Sequence, residues 1–396
     1  MNTKELWAKN MLGNYGEPPI TIVRGRGSYA WDDTGKRYLD FSSGIAVLSV
    51  GHCHPVWVER VQAQTATLTH CSNIFMNENA PRVAERINKH MGGGRVFFCN
   101  SGAEANEAMI KLSRLHGVER SRGKEGKLFK VVCCENAFHG RLFGTMAVTP
   151  QEKIQHGFRP LIPNVVHAKL NDIESFRAAI DDETVAIILE CVQGESGLTP
   201  AKPEFLRELR KLCDEKNVLM LCDEVQCGVG RTGTLFGFEQ AGIVPDAFSM
   251  AKGLGGGFPI GAMWCKEHLA NYFHPGSHGT TFGGNPLATA AAMAVFEIID
   301  RENLLENVNK LAPVWRAGLQ KLVEECPHIL KEVRGIGFMS GVMLTEAPAP
   351  WIAKLREAGL LCVGAGNNVI RLLPPLTANK YEFDECLAIL RQVFAK

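Results

Sequence analysis

Short apolar runs alternate with longer stretches of helical spacing through the middle of the chain. The runs at 96–99, 131–134, 185–189, 218–222 and 247–250 are short enough for strands, and continuous enough to be covered on both faces. Between them Ala105, Met109, Leu112 and Leu115 recur at helical spacing, as do Phe205, Leu206, Leu209 and Leu212. Strand, crossover helix and strand in succession predict an α/β fold with a mostly parallel central sheet in a large domain. After Gly284 the pattern changes. A long Ala-rich helix from Pro286, a second helix to about Glu325, short strands near Val333 and at 338–344 and 369–373, and a closing helix predict a smaller α+β domain. The Gly- and Pro-rich first 50 residues, with strand candidates at 20–23 and 28–31, are expected to pack with it. The expected division is 1–50, 51–285 and 286–396.

Composition narrows the function by exclusion. Lys and Arg total 43 against 42 for Asp and Glu, so no excess field attracts nucleic acid or an anionic membrane. Thirteen cysteines, an odd number with no CxxC, fit neither a disulfide framework nor a zinc ribbon. They suit a reducing cytoplasm. Lys4, Glu5, Lys9 and Asn10 interrupt the apolar stretch a signal peptide would need. The most apolar long segment, 287–299, is shorter than the roughly 20 residues of a membrane span and reads as a buried helix.

Ligands of open parallel sheets bind beyond the carboxyl ends of the strands, so polar residues that end apolar runs are the candidates. Ser101, Gly102 and Ala103 open a helix and can offer backbone N–H groups to an anion; a plain capping box of Ser101 with Glu104 reads from the same residues. Asp223 follows five apolar residues, where a buried carboxylate calls for a cationic partner, either a ligand or an Arg. Lys252 stands between a strand end and the glycines at 253 and 255–257, whose missing side chains let a flat ligand approach. A lysine beside a dry cavity can lose its proton and attack a carbonyl carbon. Gly228, Gly230 and Gly233 satisfy GxGxxG, but the stretch after them carries Gly237, Gly242 and Pro245 where a dinucleotide site needs a helix. His52-Cys53-His54 lacks further ligands at metal spacing and reads as a turn with a buried polar anchor.

Together these residues carry a family signature. Asn100-Ser101-Gly102-Ala103-Glu104-Ala105, Phe138-His139-Gly140-Arg141, Gln193-Gly194-Glu195, Asp223-Glu224-Val225-Gln226, Gly230-Arg231-Thr232-Gly233, Lys252, and Gly279-Thr280-Thr281-Phe282-Gly283-Gly284-Asn285-Pro286 resemble the class III aminotransferases. Within that class the chain is most similar to the branch that acts on acylated ornithine. The resemblance implies a fold type I architecture and pyridoxal 5′-phosphate as cofactor, held by Lys252 as a Schiff base. Asp223 would meet the ring nitrogen, Gln226 the ring hydroxyl and Phe138 the ring face. Ser101, Gly102 and Ala103 would take the phosphate, helped by Thr281 of the neighbouring subunit, which implies a homodimer with shared sites. Lys252 and Asp223 would be the catalytic pair. Arg141 would grip the substrate α-carboxylate, while Glu195 and Arg371 would pair until a dicarboxylate displaces Glu195.

The sequence departs from the family in two places. Cys191 and Ser196 flank the Gln193-Gly194-Glu195 motif where Pro and Gly are usual, and Ile45 stands where ornithine aminotransferases carry a Tyr that meets the free α-amine. An apolar Ile favours a donor whose α-amine is acylated or absent. The expected reaction moves the ω-amino group of an acylated ornithine to an oxo acid. Another ω-amine (succinylornithine, succinyldiaminopimelate, γ-aminobutyrate or ornithine) and a non-catalytic relative remain as alternatives.

Overall fold

The computed structural model describes residues 2–395. Its centre is a seven-stranded sheet built from Arg95–Cys99, Gly261–Cys265, Ala247–Met250, Leu219–Asp223, Thr184–Glu190, Lys130–Cys134 and Val165–Ala168, in that spatial order. Only Gly261–Cys265 runs antiparallel to its neighbours. All five apolar runs are strands in it. Two further strands, Val165–Ala168 and Gly261–Cys265, go beyond the sequence expectation. The first is only four residues long and keeps His167 among its valines, and the second emerges from a glycine- and proline-rich stretch that reads as loop.

Alternation along each strand divides the core into two layers. Val131, Cys133, Ile188, Leu221 and Ala247 face the helix Gly102–Arg120 through Met109 and Leu112. Val132, Ile187, Met220 and Phe248 face the helix Pro203–Lys216 through Leu206, Leu209 and Leu212. With both faces covered, Thr184–Glu190 and Leu219–Asp223 are buried at every position.

The C-terminal part forms an antiparallel sheet of Leu330–Ile336, Met339–Leu344, Val369–Leu372 and Val363–Ala365, packed by the helix Leu304–Glu325, against which Lys380–Phe394 lies in turn. A further sheet joins the two ends of the chain: Ile22–Arg26, Tyr29–Asp32 and Arg37–Asp40 continue into Leu360–Leu361, which pairs in parallel with Leu39 and Asp40. The helix Pro286–Arg301 is the buried apolar segment expected at 287–299. Among the described residues no helix is long and apolar enough to cross a membrane.

Gly261 shows how the sheet sets the ligand end. It pairs with Cys99, and a Cβ there would stand 2.3 Å from the Ser101 carbonyl oxygen. Gly261→Ala should therefore cost about 1–3 kcal/mol and displace the turn that opens the helix Gly102–Arg120. Thermal melting of the variant checks it, and an unchanged Tm would show that the turn yields freely.

Candidate functional site

Beyond the carboxyl ends of the parallel strands lies a cavity of about 430 Å³. Ser101, Gly102, Ala103, Phe138, Arg141, Asp223, Gln226 and Lys252 all line it, so residues spread over some 150 positions converge on one space. Strand order does this, since Asp223 is in register with Glu190 on one side and Ser249 on the other.

Asp223 is 4% exposed, and both oxygens of its carboxylate are held in place. Oδ2 accepts from Asn106 Nδ2 at 2.7 Å and lies 2.8 Å from His139 Nδ1, while Oδ1 accepts from Val225 N at 2.9 Å and Ser249 Oγ at 3.4 Å. Among the described residues no Arg pairs with it, so the structural ion pair left open by the sequence is absent. Its supports, Asn106 and His139, had no assigned role in the sequence reading. The signal was present for Asn106, a polar residue at the spacing of the helix's buried apolar positions Met109 and Ile110.

Lys252 caps the strand Ala247–Met250 in a left-handed conformation, φ 44°. Burial lowers the affinity of its amine for a proton and the Arg371 guanidinium adds to the effect, against the opposing pull of Glu195, Asp223 and Glu190. Among the described residues the amine makes no hydrogen bond or ion pair. It is a nucleophile in waiting.

The anion end is a helix start. Ser101 Oγ accepts from Glu104 N at 3.2 Å, so the hydroxyl caps the helix, but Glu104 turns its carboxylate to Asn100 N at 2.6 Å and the reciprocal half of a capping box is missing. The N–H groups of Gly102 and Ala103 come before Ala105, whose N–H is the first to find an intrahelical acceptor in the Ser101 carbonyl, and remain for a ligand. Gly102 has no room for a side chain, since a Cβ would lie 2.7 Å from Val225 Cγ1. Arg141 places its guanidinium 5.9 Å from the centre of the Phe138 ring, and among the described residues no carboxylate pairs with it.

Arg371 and Glu195 meet at 2.6 Å between Nη1 and Oε1, with Arg371 only 3% exposed. Arg371 also donates to Gln226 Oε1 at 3.3 Å and to the Gly364 carbonyl at 2.9 Å, which joins the pair to the cavity wall. Two predicted site residues stand apart. Thr281 is exposed and lines a different hollow with Leu142 and Glu107. Ile45 is 40% exposed and lies in a left-handed turn, Ser43 to Ala46, with φ between 45° and 64°. Such a conformation costs about 1–2 kcal/mol for each non-glycine residue.

The aminotransferase class-III family matches residues 12–394. The acetylornithine aminotransferase of Caldanaerobacter subterraneus subsp. tengcongensis is 46% identical over 98% of both chains, and that of Gloeobacter violaceus is 44% identical over 100% of this chain and 98% of the other. Among solved structures, the ornithine aminotransferase of Toxoplasma gondii ME49 superposes with a TM-score of 0.95 at 30% identity, covering 100% of this chain and 96% of that one. The acetylornithine aminotransferase of Elizabethkingia anophelis gives 0.87 at 32%, covering 99% and 97%. The chain belongs to the class-III aminotransferases, and its architecture is that of fold type I. Pyridoxal 5′-phosphate is the cofactor of that class. The residues fit it: an anion cradle at the glycine-started helix, a flat slot beside Phe138, a buried carboxylate for a cationic ring nitrogen and a free amine share one cavity.

Behind Asp223, Glu224 is wholly buried and accepts from Gly237 N at 2.7 Å and Phe238 N at 3.0 Å. Burial pushes its carboxyl from the ordinary 4.5 up to about 7. The folded protein therefore holds a proton that the unfolded chain releases, and stability falls as pH rises from about 4.5 to about 7, then levels off. Glu224→Gln removes that slope. Its Tm deficit relative to the parent should shrink as pH is raised from about 5 to about 8, by as much as about 3 kcal/mol in stability. Parallel Tm profiles for the two proteins would show that Glu224 does not titrate on folding.

Proposed function

We propose that the chain moves the ω-amino group of N-acetylornithine to 2-oxoglutarate, giving N-acetylglutamate semialdehyde and glutamate, as a cytoplasmic homodimer. The observation that carries the reading is the Glu195–Arg371 pair held against a cavity that already contains Lys252 and Asp223. The full-length relatives at 46% and 44% identity, both acetylornithine aminotransferases, support the substrate.

When bound, pyridoxal phosphate supplies a carbonyl for the incoming amine and a ring that accepts electrons. Ser101, Gly102 and Ala103 would bind its phosphate, Phe138 would cover the ring, Gln226 would meet the ring hydroxyl and Asp223 would pair with the ring nitrogen. Asn106 and His139 keep Asp223 aimed, so no reorganisation is needed when charge develops. Lys252, whose buried amine would hold the cofactor, is the group best placed to carry a proton from the substrate carbon that bears the amine. Arg141 takes the α-carboxylate in a bidentate grip. With a monocarboxylate donor, Glu195 neutralises Arg371; with glutamate, Glu195 turns away and Arg371 takes the second carboxylate.

Ornithine is the second reading, because a solved ornithine aminotransferase superposes at 0.95. Against it stands Ile45, which offers a free α-amine no hydrogen-bond partner. Thr281 supports the dimer: exposed in its own chain and outside the cavity, it is free to reach a partner's phosphate. The exposed Phe75, Met76 and Phe282 are apolar surface that such a partner would cover. The cysteines are all unpaired, which suits the cytoplasm.

Glu195→Ala leaves Arg371 free for a dicarboxylate. The glutamate half-reaction should be kept or quickened, while the acetylornithine half-reaction falls by about tenfold or more. Single-turnover rates of each half-reaction decide, and an equal loss in both would make Glu195 scaffolding. For the shared site, Lys252→Ala and Thr281→Glu should each be inactive alone and regain activity when mixed, since one site per heterodimer keeps both residues. No recovery after verified subunit exchange would place each site within one chain.

A further inference from the structure

The turn that carries Ile45 is the least expected piece of backbone near the site. Ser43, Gly44, Ile45 and Ala46 follow one another at φ 45°, 62°, 64° and 64°, between right-handed Ser42 and Val47. Ile45 N–H donates to Ser42 O at 2.8 Å and Val47 N–H to Ser43 O at 2.8 Å, so the four residues close a left-handed helical turn. Only one of them is glycine, and a β-branched residue tolerates this conformation least. A turn of this kind persists only where its surroundings over-determine it.

Asp40 does so from below. It is 5% exposed, and its Oδ1 accepts from Ser42 N at 2.9 Å, Ser42 Oγ at 2.6 Å and Ser43 N at 3.0 Å. Its Oδ2 lies 2.8 Å from His52 Nε2. His52 is fixed in turn. Its backbone pairs with Gly27 in both directions, at 2.9 and 2.8 Å, and its ring fills the space where a Gly25 Cβ would come within 2.4 Å of Nδ1. On the far side of the turn Val47 lines the cavity, and Ser49 Oγ donates to the Gly253 carbonyl at 2.8 Å, next to Lys252. The turn is thus tied at one end to a buried carboxylate and at the other to the segment that holds the reactive amine.

We infer that Asp40, backed by His52, is a positioning residue for substrate discrimination: by holding the left-handed turn it fixes the place of Ile45, two positions before the cavity-lining Val47, as an apolar group that offers a free α-amine no partner. The inference rests on the reading of Ile45 given above and adds what keeps that residue in place. Asp40 touches neither cofactor nor substrate and acts through the turn.

The test compares kcat/KM for N-acetylornithine and for ornithine in the holoenzyme, with Tm measured alongside. Ile45→Tyr should narrow the ratio, as the reading of Ile45 requires. Asp40→Ala should also narrow it, by about tenfold, because the turn relaxes and the apolar face is lost. Asp40→Asn keeps an acceptor for Ser42 and Ser43 and should hold the ratio within about twofold of the parent. A merely structural Asp40 would lower Tm in the Ala variant with the ratio unchanged, and that result overturns the inference while leaving Ile45 its role. An unchanged ratio in Ile45→Tyr overturns both. Should Asp40→Ala not fold, Ser42→Ala, which removes a single hydroxyl donor, must narrow the ratio in the same direction by a smaller factor, and its failure to do so counts equally against the inference.

Discussion

A carboxylate at the end of a fully buried strand organises the ligand end of this molecule. Asp223 cannot be solvated where it stands, and its charge is tolerable only because Asn106, His139, Val225 and Ser249 surround it with hydrogen-bond partners. Those four residues come from the helix after the first core strand, the loop after the second, the turn beyond Asp223 itself and the neighbouring strand. Satisfying one charge therefore fixes four segments at once; three of them wall the cavity, and the fourth leads straight into its wall at Ala251 and Lys252.

The substrate side is stitched in a similar way. Glu190, in register with Asp223, accepts from Phe138 N at 3.0 Å and from Gly194 N at 3.2 Å. Phe138 and Glu195 thus share an anchor. On the opposite flank, Gly366 N–H donates to the Glu195 carbonyl at 2.8 Å and Asn367 Nδ2 to the Ser196 carbonyl at 2.8 Å, which ties the loop to the hairpin that leads into Arg371. With the backbone held on both sides, the proposed change of partner at Glu195 would fall to its side chain. That suits a gate better than a loop movement would, because rotation about side-chain bonds moves the charge with little loss of packing.

The departures at Cys191 and Ser196 are absorbed without disturbing this frame. Cys191 is buried beside Gly237, where a Cβ on the glycine would come within 3.1 Å of the Cys191 Cβ, so the pair fit because one of them has no side chain. Ser196 donates to Gln193 Oε1 at 2.9 Å, and Gln193 Nε2 donates to the Glu135 carbonyl at 2.9 Å. The extra hydroxyl strengthens the loop.

The amino-acid sequence by itself determined the layered α/β class, five of the seven core strands, the helix at 286–301 and eight of the residues that line the cavity, because hydrophobic periodicity and strand-end polarity are local properties that survive in a linear reading. The strand Gly261–Cys265 escaped because its glycine and flanking Pro259 read as loop, and its pairing comes from strands far away in sequence. Only the tertiary structure decided that His139 meets Asp223 across 84 positions, and it brings Arg371 to Glu195 across 176, a pairing that the sequence carried only through the family resemblance. Nor could Ser43-Gly44-Ile45-Ala46 announce a left-handed turn, since three of its four residues disfavour that conformation alone. The turn exists because Asp40 and His52, brought together by the pairing of His52 with Gly27, supply the hydrogen bonds that outweigh the local preference.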